Sequence, residues 1–159
     1  MRRTKGFSLI ELLIVVAIIL IIAAIAIPNL LRSKIAANES TAAGSVRTVN
    51  TAQVAYAMAY PTVGYASSLA VLGGDCSSTV SSSTSACLID SVLAGGQKSG
   101  YSYSVTNPSG TPVTGYNVIA GPTSPNYSGV RSFCSFEDGV LRDSQTTIAT
   151  CDATVTPLH

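Results

Sequence analysis

The sequence predicts an α+β chain: one long N-terminal helix followed by a C-terminal antiparallel β-sheet. Three observations carry this. Residues 7–27 form an apolar run, apolar positions then recur at helical spacing as far as Tyr60, and from Tyr101 onward short alternating segments are separated by turn residues. The chain has 159 residues, room for one modest globular domain plus an extra element.

The run from Phe7 to Ile27, FSLIELLIVVAIILIIAAIAI, holds a single charge, Glu11. At about 1.5 Å per residue it spans roughly 30 Å, the thickness of a bilayer's hydrocarbon core. Arg2, Arg3 and Lys5 precede it, which predicts a cytoplasmic start and a remainder on the far side of the membrane. Beyond Pro28, apolar residues recur at Leu31, Ile35, Ala42, Val46, Val49, Tyr56 and Tyr60. Steps of three and four, or their sum, extend the helix as an amphipathic half, with Arg32, Lys34, Glu39, Arg47 and Asn50 expected mostly off the apolar face. One helix from about Ser8 to Tyr60, bent near Pro28, is therefore expected. Pro61 stops it.

Residues 61–100 read as a connector, with Gly73-Gly74, a serine-rich run from Ser77 to Ser85, and Gly95-Gly96. A short helical turn is expected between Ile89 and Leu93. Connectors of this length are uncommon unless functional or stapled. Strands are expected at Tyr101–Val105, Tyr116–Ala120 and Val130–Phe136, with a short fourth at Val140–Arg142 after the Asp138-Gly139 turn. Asn107-Pro108-Ser109-Gly110 and Gly121-Pro122 supply further turns. The sheet is the expected cover for the amphipathic half of the helix.

Composition narrows the function. Charged residues make up 11% of the chain, against about 25% in soluble domains. No basic tract follows the first five residues, so nucleic-acid binding is not expected as the core activity. The sequence shows no G-x-S-x-G, Walker A or H-E-x-x-H pattern, and its single histidine is His159, so neither an enzyme nor a bound cofactor is expected. Cys76, Cys87, Cys134 and Cys151 all lie downstream of the apolar run, as suits an oxidising compartment. Three pairings are open; the sequence-local one, Cys76–Cys87 with Cys134–Cys151, is favoured over the others and over free buried thiols. A zinc site is disfavoured, because no Cys-x-x-Cys spacing occurs. Glu137 and Asp138 read as turn chemistry rather than a calcium site, Tyr56, Tyr60, Tyr101 and Tyr103 as core packing, and Asn126-Tyr127-Ser128 as a chance match to a glycosylation sequon.

The informative unit is Lys5-Gly6-Phe7-Ser8-Leu9-Ile10-Glu11-Leu12 and the apolar run behind it. A carboxylate within a membrane segment is costly and calls for a partner. Cleavage after Gly6 would give Phe7 a free α-amino group, and Glu11 of one copy could neutralise that amine on a neighbour, fixing one axial register. Cleavage would also leave six Lys and Arg against eight Asp and Glu, a net charge of −2.

The string KGFSLIELLIVVAIILIIAAIAIP resembles the N-terminal signature of type IV pilins and of the related type II secretion pseudopilins, with a short leader and a Phe7 like those of the type IVa branch. The resemblance implies a leader at residues 1–6 removed after Gly6 by prepilin peptidase, N-methylation of Phe7, and Glu11 as the register-setting acid. It further implies a transmembrane and polymerisation helix at 7–28, its amphipathic continuation at 29–60, an αβ-loop at 61–100, and a sheet with a C-terminal disulfide loop at 101–159. Cys134 and Cys151 resemble the bounds of that loop; Cys76–Cys87 matches no rule of the family. The function implied is a pilus subunit. It would wait in the inner membrane, spanning it once, and then polymerise through its N-terminal helix into an extracellular homopolymer with the help of an assembly platform and a motor ATPase. Pro28 is expected to let the helix loosen during packing. A pseudopilin or minor pilin is the nearest alternative. A secretory signal peptide leaves Glu11 unexplained and is normally shorter, and a non-polymerising membrane anchor explains neither Glu11 nor the Gly6-Phe7 junction.

Overall fold

The computed structural model describes residues 7–74, 76, 81–106 and 110–158. The expected leader at residues 1–6, most of the Asn107–Gly110 turn, Ser77 and His159 lie outside the described residues. The chain divides into two compact units, Met1–Lys34 and Ile35–His159.

The backbone of the first unit is the start of α1 (Leu9–Ala59), a helix within one residue of the expected bounds at each end. Pro28 sits inside α1, and the helix continues through it. Proline has no amide hydrogen, so the carbonyl one turn earlier, at Ala24, goes without its helical donor. The large apolar side chains from Phe7 to Leu31 are all exposed. Among its described residues the unit makes no core of its own.

The second unit begins within α1. Ala42, Val46, Val49, Ala52 and Tyr56 bury a stripe at helical spacing. They join Tyr101, Tyr103, Tyr116, Val118, Ala120 and Phe133 of the sheet region in one core. The sheet is a five-stranded antiparallel meander in sequence order: β1 (Gln97–Lys98), β2 (Tyr101–Thr106), β3 (Asn117–Pro122), β4 (Ser132–Phe136) and β5 (Arg142–Ser144). Tyr101 lies opposite Pro122 and Thr106 opposite Asn117, while Ala120 lies opposite Phe133. Along β2, buried Tyr101 and Tyr103 alternate with exposed Ser102 and Ser104, as a half-buried strand requires.

Three expectations need correction. The stretch 61–100 is more than a connector: besides α3 (Ser91–Ala94), which lies where the helical turn is expected, it contains α2 (Leu69–Gly73) and β1. Ala66, Leu69, Leu72, Ala86, Ile89 and Leu93 enter the same core, so the sheet is not the only cover for the helix. Short polar caps hold these turns, with the Ser68 hydroxyl accepting from Val71 N and the Asp90 carboxylate from Leu93 N. Second, the last strand is Arg142–Ser144 rather than Val140–Arg142. The Asp138 carboxylate accepts from Val140 N and pairs with Arg142 at 2.6 Å, so the turn runs two residues further before pairing begins.

Third, Glu39 and Asn50 are buried although they are polar. Asn50 Nδ2 donates to Ser135 Oγ (2.9 Å), and its Oδ1 accepts from the Tyr116 hydroxyl (3.2 Å). Gln53, fully buried, grips Ala66 on both sides: its Nε2 donates to the Ala66 carbonyl (3.1 Å) and its Oε1 accepts the Ala66 amide (2.8 Å). Buried polar groups are tolerable when bonded in this way. Gly64, at φ +84°, lies so close to the Val113 carbonyl that a Cβ would fall 2.1 Å from it, which permits the bridge between Tyr65 N and Val113 O (3.0 Å).

Candidate functional site

Of the residues singled out at the amino end, Gly6 lies outside the described residues, while Phe7, Glu11 and Pro28 are placed. Phe7 is 78% exposed. Ser8 precedes the first helical residue, and the Glu11 carboxylate accepts a hydrogen bond from Ser8 N at 2.9 Å. Ser8-x-x-Glu11 has the spacing of a capping box, in which an acid in the first turn reaches back to the backbone amide at the cap position. The spacing stands in the sequence, and it gives Glu11 a partner within its own helix beside the expected intermolecular one. The cap turns the carboxylate toward the start of its own helix. An anion there also suits the positive end of the helix dipole.

Behind Glu11, α1 is long and apolar enough to cross a membrane, and none of its most apolar stretch is buried. Apolar side chains on every side suit a segment surrounded by lipid or by other helices.

The carboxyl end is held covalently. Disulfides join Cys76 to Cys87 (Cα–Cα 5.5 Å) and Cys134 to Cys151 (Cα–Cα 5.8 Å). The first staples a segment laid over the helix, where the Tyr56 hydroxyl donates to the Ser83 carbonyl at 2.6 Å. The second encloses β5 and forms a small core of its own with Ile148, lined by Ile119, Phe136 and Val155. The chain then returns alongside β5, where Asp143 N donates to Thr156 O (3.0 Å) and Leu158 N to Leu141 O (2.9 Å).

A charge cluster that the sequence did not reveal fixes the second unit. Glu39 Oε1 accepts from Val130 N (2.9 Å) and Arg131 N (3.1 Å), and its Oε2 meets Arg131 Nε at 2.9 Å. Arg131 also reaches Asp143 at 3.3 Å. Burial alone would raise the Glu39 carboxyl; the two amides and the guanidinium outweigh it and hold the group below its ordinary value. The only sequence signal for Glu39 was position, since it stands one helical turn before Ala42 on the buried stripe. Burial pushes Tyr116 up to about 12, with Tyr65, Asp138 and Glu137 adding to the effect. Tyr56 packs against Tyr60 at 4.9 Å, Tyr65 against Tyr116 at 4.8 Å, and Tyr101 against Phe133 at 6.1 Å. Glu137 and Asp138 occupy the β4–β5 turn, and among the described residues no group of three or more potential metal ligands occurs.

Comparison with known proteins points the same way. Residues 1–27 match the family model described as the prokaryotic N-terminal methylation motif. A type IV wide pilus major component, PilA4 of Thermus thermophilus, is 62% identical over 40 residues, 25% of this chain and 30% of that protein. A type IV major pilin protein, PilA of Myxococcus xanthus, is 48% identical over 54 residues, 34% of this chain and 24% of that protein. The chain thus spans less than a third of the length of these curated relatives in either alignment. No solved structure gives a significant match. The methylation motif, the two relatives and the long apolar helix ahead of an antiparallel sheet together support a type IV pilin.

Proposed function

We propose that this chain is the structural subunit of a type IV pilus. It would be cut after Gly6 by prepilin peptidase, methylated on Phe7, held in the inner membrane by the first half of α1, and polymerised outside the cell with an assembly platform and a motor ATPase. The observation that carries the proposal is the pairing of two features: a helix whose apolar side chains are exposed on every side from Leu9 to Ile27, and one carboxylate, Glu11, at its amino end. Apolar surface on this scale needs an apolar surrounding, and lipid and neighbouring helices are interchangeable in that respect. The relatives' printed descriptions, a wide pilus major component and a major pilin, favour a fibre-forming role.

In the assembled fibre, Glu11 would exchange the Ser8 amide of its own helix for the Phe7 amine of an adjacent copy. A buried carboxylate facing that amine is stable only in the matching register. The test is Glu11→Ala, read by shearing cells and assaying the released fibres. The subunit reading expects fibres to fall to background while the variant stays in the membrane fraction. Wild-type amounts of sheared fibre from the variant would refute it, and so would sheared protein that still carries residues 1–6.

A further inference from the structure

The second unit carries an open apolar groove of about 490 Å³. One wall is the helix face Thr51, Val54, Ala55 and Met58; the other is Tyr116 and the β4–β5 turn at Glu137. Val54 is 49% and Met58 79% exposed, so the groove holds apolar surface that its own chain leaves uncovered. Glu137 stands at the rim as an exposed residue. Its neighbour Asp138 is already paired with Arg142, whereas Glu137 takes part in no ion pair among the described residues.

The same chain carries a surface that fits. Ile27, Leu30, Leu31 and Lys34 follow one another at steps of three, one and three along α1, which places them on a single helix face. All are exposed, and Lys34 has no acidic partner among the described residues. The face is apolar with one cation at its end; the groove is apolar with one anion at its rim. We infer that the groove is a docking site for a second copy of this chain, which brings the end of its Ile27–Lys34 face, Leu31 and Lys34, level with Thr51 and Val54 and sets Lys34 on Glu137. This rests on the polymer reading above.

Register separates this contact from the one at the membrane helix. Glu11 and Phe7 are four residues apart, whereas Lys34 and Val54 are twenty residues apart along α1. One neighbour cannot satisfy both offsets with parallel helices. The copy that fills the groove is therefore a different one from the copy that answers Glu11, and each subunit is tied to neighbours at two distances along the fibre. Apolar contact supplies the attraction, and the ion pair selects the register.

The test uses the full chain expressed in its own cells. Zero-length carbodiimide coupling of wild-type sheared fibres is expected to give a ladder of oligomers on a denaturing gel, with a junction peptide joining Lys34 to Glu137. Lys34→Glu and Glu137→Lys should each cut the yield of sheared fibre about tenfold, and the double reversal should restore it to within about twofold, because like charges facing each other are penalised and the swapped pair is not. Both side chains are exposed and take part in no ion pair among the described residues, so intact disulfides and unchanged membrane levels are expected in every variant. Coupling of Glu137 to Lys98 instead, no junction peptide, or a double reversal as poor as the singles overturns the docking site. If wild-type cells yield no fibre at all, the polymer reading falls and takes this inference with it. If the wild type gives fibres that Glu11→Ala abolishes while both reversals are silent, the polymer reading stands and only the groove assignment is lost.

Discussion

The two units handle polar groups and apolar surface in opposite ways. Up to Lys34 the described residues offer exposed apolar side chains from Phe7 to Leu31 and no core. From Ile35 onward the chain hides polar groups and satisfies three of the largest: Glu39 on two amides and a guanidinium, Asn50 on Ser135 and Tyr116, Gln53 on Ala66. Among the described residues the first unit leaves its large apolar side chains uncovered, whereas the second buries a continuous core. A single helix, α1, passes through both regimes, so burial here is decided by surroundings and not by secondary structure.

If the second unit is self-sufficient, perturbing its internal links should change its melting without any fibre or membrane present, and a soluble fragment beginning near Ile35 is the material to use. The largest effect is expected from Cys134→Ser with Cys151→Ser. The bridge spans 17 residues, and chain-entropy reasoning assigns such a loop about 3 kcal/mol; chemical denaturation should show the midpoint shift. An unchanged midpoint would mean that the loop's small core, not the bridge, carries the carboxyl end.

Glu39→Gln comes next. It keeps the shape and removes the charge that faces Arg131, and hydrogen bonds to a charged group are worth about 1.5–3 kcal/mol. Arg131 is partly exposed (38%), so solvent screening places the loss near the bottom of that range. The same carboxyl gives a pH signature. Its folded value lies below the ordinary one, so its contribution is fully present above about pH 4.5 and is lost as pH falls through the folded value. The variant should lack that part of the acid loss. Matching acid profiles for the two proteins would remove Glu39 from the account.

The smallest effect has the opposite sign. Gly44 lies within α1 at an exposed position, and an added Cβ would meet nothing within 4 Å. Gly44→Ala should therefore raise stability by about 1 kcal/mol, visible as a higher melting temperature. A lower one would show that the outer face of the helix is packed against something even in the isolated unit.

Much of this was legible in the sequence, for identifiable reasons. The bounds of α1 follow from a run of local signals ending at Pro61, and β2 follows from the alternation of Tyr101 to Val105. Glu11 stood out because a charge in an apolar run is conspicuous. Its cap on Ser8 is equally local, but a charge in such a run directs attention to a distant partner first. The remainder depended on contacts between residues far apart in the chain. Glu39 meets Arg131 across more than ninety positions, and no local pattern distinguishes a charge that is bonded inside from one that is solvated outside. The core role of residues 61–100 was hidden for a related reason. Glycine and serine punctuation marks where a chain turns, but Leu69, Leu72 and Leu93 disclose their burial only when the turns bring them onto the helix.

The grip of Gln53 on Ala66 has a mechanical meaning. A carboxamide carries the same donor and acceptor as a peptide unit, so a helix, whose own backbone groups are spent, presents through this side chain one rung of a ladder. The stretch around Ala66 docks on it as a strand docks on an edge. The segment that follows α1 is thereby slaved to a helical position thirteen residues earlier, and a rotation of α1 about its axis would carry that segment with it like a crank on a shaft.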